Sequence, residues 1–206
     1  MNHTKQGLEA GVPLKDAKNA LVLLHGRGGT ARDILTLKEE LSLEDYYIIA
    51  PQATNNTWYP YGFLMPVQEN EPWLSSALSL LKRLVKDITS KGINPDGIFV
   101  MGFSQGACLA LEFAARHAQN WGGVIAFTGG LIGSKLVPEI YKGDLSGTEV
   151  FIGNSDIDPH VPLGRSEESK HIMEGLGARV KLKIYPNMPH TINGDEIEEA
   201  KGILKG

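Results

Sequence analysis

Gly97-Ile98-Phe99-Val100-Met101-Gly102-Phe103-Ser104-Gln105-Gly106 passes from an apolar, β-branched run into G-x-S-x-G, and the helical pattern of residues 107–116 follows at once. The spacing has a physical cause. Turning the chain from strand to helix within about three residues forces the central serine into a strained backbone region with crowded neighbours. Glycines two before and two after it remove the side chains that would collide. Ser104 then projects from the tip of the turn, near the positive end of the helix dipole, where a nucleophile is well placed. The pentapeptide alone is a weak signal in a chain with 24 glycines. A strand before it and a helix after it make it specific. The plainer alternative, a small-residue turn packing a helix on a sheet, leaves the flanking motifs unexplained.

Upstream, Leu21-Val22-Leu23-Leu24 ends in His25-Gly26-Arg27-Gly28-Gly29, with Thr30 placed to cap the next helix. An HG-type loop of this kind supplies one backbone N–H to a developing oxyanion, and the residue after the nucleophile supplies another. Those donors are the amides of Arg27 and Gln105. The loop lacks both GKS/T and G-x-G-x-x-G, so it does not read as a phosphate cradle. The His25 ring is expected to be bonded inside the turn. The Arg27 side chain is read either as a surface arginine or as a groove residue that pairs with an anionic substrate group.

Downstream, the acid and the base of such a site follow the serine in that order. His190, in Asn187-Met188-Pro189-His190-Thr191, stands directly after the run ending at Tyr185, where a side chain returns to the carboxyl edge of a sheet. It is the candidate base. Gly153-Asn154-Ser155-Asp156-Ile157-Asp158-Pro159-His160-Val161-Pro162 offers two carboxylates. Asp158 is preferred as the acid, with Asp156 left to bond backbone amides in the loop. Asp156, Asp158 and His160 are too close together on one turn, and too few, to suggest a metal site. Cys108, one helical turn past Ser104, reads as a small buried hydrophobe.

Six short apolar runs, at 20–24, 46–50, 97–103, 123–128, 149–152 and 179–185, alternate with amphipathic segments. Leu74, Ala77, Leu78, Leu81, Leu84, Val85 and Ile88 fall on one face of a helix over 73–91; 30–41, 162–176 and the tail from Asp195 also read as helices. Such alternation predicts an α/β fold, a doubly wound sheet with helices on both faces, in one domain over residues 1–206. The longest connection, 51–72, carries Trp58, Tyr59 and Phe63. It reads either as a functional loop or as a flap over the core, and it is too short to be a lid domain. Trp58, Tyr59, Phe63 and Leu131 are the candidate walls of an open groove at the carboxyl ends of the strands.

Composition narrows the partners. Twenty Lys and Arg stand against 24 Asp and Glu, a net charge of −4, which gives no footprint for nucleic acid or an anionic membrane surface. No apolar run approaches the roughly 18 residues of a membrane span, and the start of the chain does not resemble a signal peptide. The single cysteine allows no intrachain disulfide, and a reducing cytoplasm is the default location.

Together HGRGG (25–29), GFSQGA (102–107), DPHVP (158–162) and PHTIN (189–193) resemble the phospholipase/carboxylesterase family of α/β-hydrolases, the small lidless group that includes the acyl-protein thioesterases. The resemblance covers nearly the whole chain. It implies a mostly parallel sheet of about seven strands, a triad of Ser104, His190 and Asp158, and oxyanion amides at Arg27 and Gln105. It implies hydrolysis of a small-molecule carboxylic ester of small or short-to-medium acyl length, without a cofactor, and suggests a weak homodimer. Residues 56–63 and 70–73 look like a bacterial carboxylesterase branch. Two further readings stand beside it: thioesterase or lysophospholipase activity on longer acyl chains, and a non-catalytic relative that binds a ligand.

Overall fold

The structure, a computed structural model, describes residues 3–205. Its strands are β1 (Gly7–Gly11), β2 (Asn19–Leu24), β3 (Tyr46–Pro51), β4 (Ile98–Phe103), β5 (Gly123–Phe127), β6 (Glu149–Ser155) and β7 (Arg179–Tyr185). The helices are α1 (Ala31–Leu35), α2 (Lys38–Leu41), α3 (Trp73–Thr89), α4 (Gln105–Arg116), α5 (Leu163–Gly175) and α6 (Gly194–Lys205). The seven strands form one sheet in the order β1-β3-β2-β4-β5-β6-β7, parallel except for β1, which runs antiparallel to β3. This is the α/β-hydrolase arrangement, and the turns after β4, β6 and β7 lie at one edge.

Side chains alternate across each strand, so the continuous apolar runs divide into two cores. Ala20, Val22 and Leu24 of β2 join Ile98 and Val100 of β4 under α3 and α4. Leu21, Leu23, Phe99 and Met101 face the other way, against Ile34 of α1 and Ile197, Ala200 and Leu204 of α6. Helix α4 lies directly under the first core and is buried from Gln105 to Ala115.

Three elements differ from their sequence reading, and a fourth, α5, stands where it was expected but buries a different kind of face. Strand β1 was not legible: Gly-Leu-Glu-Ala-Gly is short, has no apolar run and is half exposed at the sheet edge. Its glycines are required by close approach, since a Cβ at Gly11 would lie 2.0 Å from the Tyr46 carbonyl oxygen. The helix expected over 30–41 breaks into α1 and α2. Three-residue bonds (Thr36 N–H to Asp33 O, Leu37 N–H to Ile34 O) tighten the chain there, and the Thr36 hydroxyl also donates to Asp33 O at 2.7 Å. Strand β6 runs to Ser155, three residues beyond its apolar run, because Asn154 is held inside: its Nδ2 donates to Val161 O and Ser166 Oγ. Helix α5 buries a polar face. Arg165 donates to the carbonyls of Leu131 and Gly133, and Ser169 Oγ accepts from Leu131 N–H.

The loop over 52–72 is tied down along its length. Asn70 is fully buried and bonds Tyr61 N–H and Gly62 O, while Gly133 N–H donates to Phe63 O at 2.7 Å. His3 anchors the near end, its ring bonding Trp58 O and accepting from Thr54 N–H.

Candidate active site

The turn between β4 and α4 holds Ser104 at φ 54° and ψ −117°, a region that ordinary residues avoid. The two glycines of G-x-S-x-G are explained by contact. A Cβ on Gly102 would lie 2.4 Å from the Gly106 carbonyl carbon, and one on Gly106 would lie 2.1 Å from the Leu24 oxygen. Both obstacles are backbone and cannot swing aside. Gly106→Ala is therefore expected to lower stability by about 3 kcal/mol or more, read as a fall in thermal midpoint or loss of soluble protein.

From this turn a chain of hydrogen bonds crosses the sheet edge. Ser104 Oγ lies 2.9 Å from His190 Nε2, and His190 Nδ1 lies 2.7 Å from Asp158 Oδ2. The other Asp158 oxygen accepts the backbone N–H groups of His160 and Val161, each at 2.8 Å. Burial alone would push the Asp158 carboxyl up. The bonds from His190 and the two amides outweigh it, so the group is held below the usual carboxylate range and stays ionised. An ionised acceptor at Nδ1 requires Nδ1–H, which leaves the Nε2 lone pair to receive the Ser104 hydroxyl proton. Asp156 accepts Asn187 N–H at 2.8 Å and so fixes the start of the loop that carries His190.

Beyond that loop, Asn193 and Glu196 exchange bonds at the start of α6: Asn193 N–H donates to Glu196 Oε2, and Glu196 N–H to Asn193 Oδ1. Glu196 is fully buried, and burial, with Asp195 adding to it, raises its pKa to about 7 against the opposing bond from Asn193. Folded protein then holds this proton between about pH 4.5 and 7, where the unfolded chain has released it. Stability is expected to fall as pH rises through that window, by the order of 3 kcal/mol from this group. Glu196→Gln should flatten that slope in thermal midpoints measured from pH 4 to 9.

The HG loop meets Ser104 from the β2 side. A Cβ on Gly26 would stand 3.5 Å from Ser104 Cβ, and the Gly28 and Gly29 amides are spent on Asn56 O and Gly26 O. The Gln105 amide, at the first helical position, is one of the donors that a helix start leaves without an intrahelical partner. The His25 ring is bonded within the turn, Nδ1 to Gly26 O and Nε2 accepting Ala53 N–H, and it lies tilted against Trp58, 5.0 Å between ring centres. Burial lowers its pKa and keeps it neutral.

A cavity of about 360 Å³ opens over Ser104, and Tyr59, Phe63, Phe103, His160 and Val161 are among its walls. Tyr59 and Phe63 thus stand where the sequence reading put them. Trp58 and Leu131 do not. Trp58 is fully buried behind the HG loop and donates from Nε1 to His25 O, and Leu131 is packed in the core with its backbone held by Ser169 and Arg165. Three walls were missed: Val161, and Phe103 and His160, whose rings lie 5.0 and 4.8 Å from that of His190. Also missed was the Gln105 side chain, which accepts Trp58 N–H and donates to Tyr59 O. Cys108 lies at the same cavity, but burial pushes its thiol up to about 12, so it supplies no thiolate near neutrality. Among the described residues no group of three or more His, Cys, Asp or Glu is arranged to hold a metal ion. No helix among them is long and apolar enough to cross a membrane.

The Arg27 side chain is neither a freely solvated arginine nor one half of an ion pair. Its guanidinium donates to Thr57 Oγ1 (3.1 Å), Pro60 O (2.8 Å) and Tyr61 O (2.5 Å), and it lies 6.0 Å from the centre of the Tyr59 ring.

Comparison with known proteins gives the family. A crystal structure of a phospholipase/carboxylesterase from Dyadobacter fermentans is 51% identical and superposes with a TM-score of 0.97, covering 100% of this chain and 99% of that one. Acyl-protein thioesterase 1 of Saccharomyces cerevisiae is 28% identical over 97% of each chain. Lysophospholipase-like protein 1 of Mus musculus is 25% identical over 90% of this chain and 85% of that one. The sequence profile of the phospholipase/carboxylesterase family matches residues 10–205, and the chain is accordingly a member of that family and an ester hydrolase.

Proposed function

We propose that the protein hydrolyses carboxylic esters of short-to-medium acyl length through an acyl-enzyme on Ser104. The observation that carries this reading is the unbroken chain from Asp158 through His190 to Ser104 Oγ, with spacings of 2.7 and 2.9 Å. As Ser104 Oγ forms its bond to the ester carbonyl carbon, His190 Nε2 takes the hydroxyl proton and Asp158 stabilises the resulting imidazolium. The carbonyl oxygen takes the negative charge and is received by the Arg27 and Gln105 amides. When the carbon–oxygen bond to the alcohol breaks, His190 returns the proton to the alcohol. Water then repeats the sequence on the acyl-enzyme, releasing the acid and restoring Ser104.

The acyl range follows from the cavity. Its volume of about 360 Å³ sits at the small end of ligand sites, and its walls include Tyr59, whose carbonyl accepts from Thr57 Oγ1 and Gln105 Nε2, and Phe63, whose carbonyl accepts from Gly133 N–H. The test is kcat/KM across p-nitrophenyl esters from acetyl to dodecanoyl. A maximum between acetyl and octanoyl is expected. A maximum at dodecanoyl, or a preference for the matching acyl thioesters, would move the assignment to a long-chain thioesterase or lysophospholipase.

A further inference from the structure

The groove over Ser104 has one permanently charged wall, and it is positive. Of the residues lining it, Arg27 alone carries a fixed charge; no carboxylate is among them, in a chain whose net charge is −4. The adjoining cavity over α1 is different. Arg27 and His190 also border it, but so does Asp33, whose carboxylate caps that helix.

Arg116, Arg165 and Arg179 each pair with a glutamate; Arg27, like Arg32 and Arg83, pairs with no carboxylate among the described residues, and of these three only Arg27 lines the groove. The three bonds of Arg27 run to a hydroxyl and two carbonyls, so they fix its rotamer and leave its charge unneutralised. They use both N–H groups of Nη1 and one of Nη2. Of the five guanidinium donors, Nε–H and one N–H of Nη2 remain. The Nε/Nη2 edge of a guanidinium is one of the forks by which arginine holds two oxygens of a carboxylate or phosphate. The side chain is exposed at the mouth of the groove, where such a group can reach it.

We propose that the Arg27 guanidinium is the recognition site for an anionic group on the substrate, so that the preferred esters carry a carboxylate or phosphate on the Tyr59 side of the groove. This rests on the reading of Ser104 as the esterase nucleophile. Pinned by the 57–61 loop, the guanidinium is ordered before substrate arrives, and little rotamer freedom is lost on binding.

The test compares two ester pairs. In one the charge is on the acyl side, mono-p-nitrophenyl succinate against its methyl ester. In the other it is on the leaving group, 4-acetoxybenzoate against methyl 4-acetoxybenzoate. The ratio of kcat/KM, anionic over neutral, is expected to be about tenfold higher in wild type than in Arg27→Gln for one pair, and to fall as sodium chloride is raised. The pair that responds tells which side of the ester carries the charge. Ratios equal in wild type and Arg27→Gln for both pairs would overturn the proposal. So would a wild-type preference that does not change with salt, a result available even if Arg27→Gln fails to fold. Calorimetric binding of monomethyl succinate to Ser104→Ala, weakened about tenfold by adding Arg27→Gln, gives a readout without turnover. If neither member of either pair is hydrolysed but this binding is seen, the esterase reading fails and the anion site stands.

Discussion

Ser104→Ala is expected to lower kcat for p-nitrophenyl esters by about 10⁵–10⁶-fold while leaving the protein folded. On the proposed mechanism the size of the effect follows from removing the atom that forms the covalent bond; what would survive is binding and whatever oxyanion stabilisation the Arg27 and Gln105 amides give a water attack. The expectation of a folded variant comes from the site itself. The Ser104 hydroxyl contacts His190 and is not part of the core, and the turn is held by backbone bonds that alanine keeps, Ser104 N–H to Phe127 O and Cys108 N–H to Ser104 O. Alanine at φ 54° carries the same backbone strain that serine already carries. Rates within tenfold of wild type would remove Ser104 from the mechanism.

Asp158→Asn is expected to cost about 10⁴-fold in kcat, again without unfolding, and the reason is a matter of which atom points where. The Asp158 oxygen that accepts His160 and Val161 N–H has two donors aimed at it, so the asparagine places its carbonyl oxygen there. Its NH₂ is then left facing His190 Nδ1. Two donors cannot face each other, so the imidazole must present its lone pair at Nδ1 and carry its proton on Nε2, the reverse of what Ser104 needs. The substitution changes the tautomer more than the geometry. A loss of less than tenfold would mean that Asp158 does not set the state of His190. Asp158→Ala, which leaves the two amides without an acceptor, should lose thermal stability as well as rate.

Much of this was legible in the chain because it depends on spacing. Gly102, Ser104 and Gly106 announce the turn, since backbone collisions at 2.4 and 2.1 Å admit no other residue at the two glycines. The continuous apolar runs at β2, β4 and β5 announce a sheet covered on both faces. The choice of Asp158 over Asp156 followed from its place in the loop, and the structure gives the two carboxylates different partners, His190 for one and Asn187 N–H for the other.

What was not legible depends on contacts between distant segments. Trp58 looked like a groove wall because it is large, aromatic and in a loop. Nothing local shows that its indole N–H reaches His25 O, 33 residues away. Leu131 was misplaced for the same reason: Arg165 and Ser169, on a helix with no apolar stripe, pull its backbone inward. His160 and Phe103 flank the base only once β4 and the loop after β6, separated by β5, are brought to one edge of the sheet. Strand β1 has no pattern of its own and exists by pairing with β3.

The most direct test of the central claim is intact-protein and peptide mass spectrometry after reaction with a fluorophosphonate ester, which phosphonylates a serine that has been activated by a neighbouring base. The expected result is one adduct per chain, on Ser104, blocked in Ser104→Ala and slowed in Asp158→Asn. An unlabelled folded protein, or an adduct on any other residue, would contradict it.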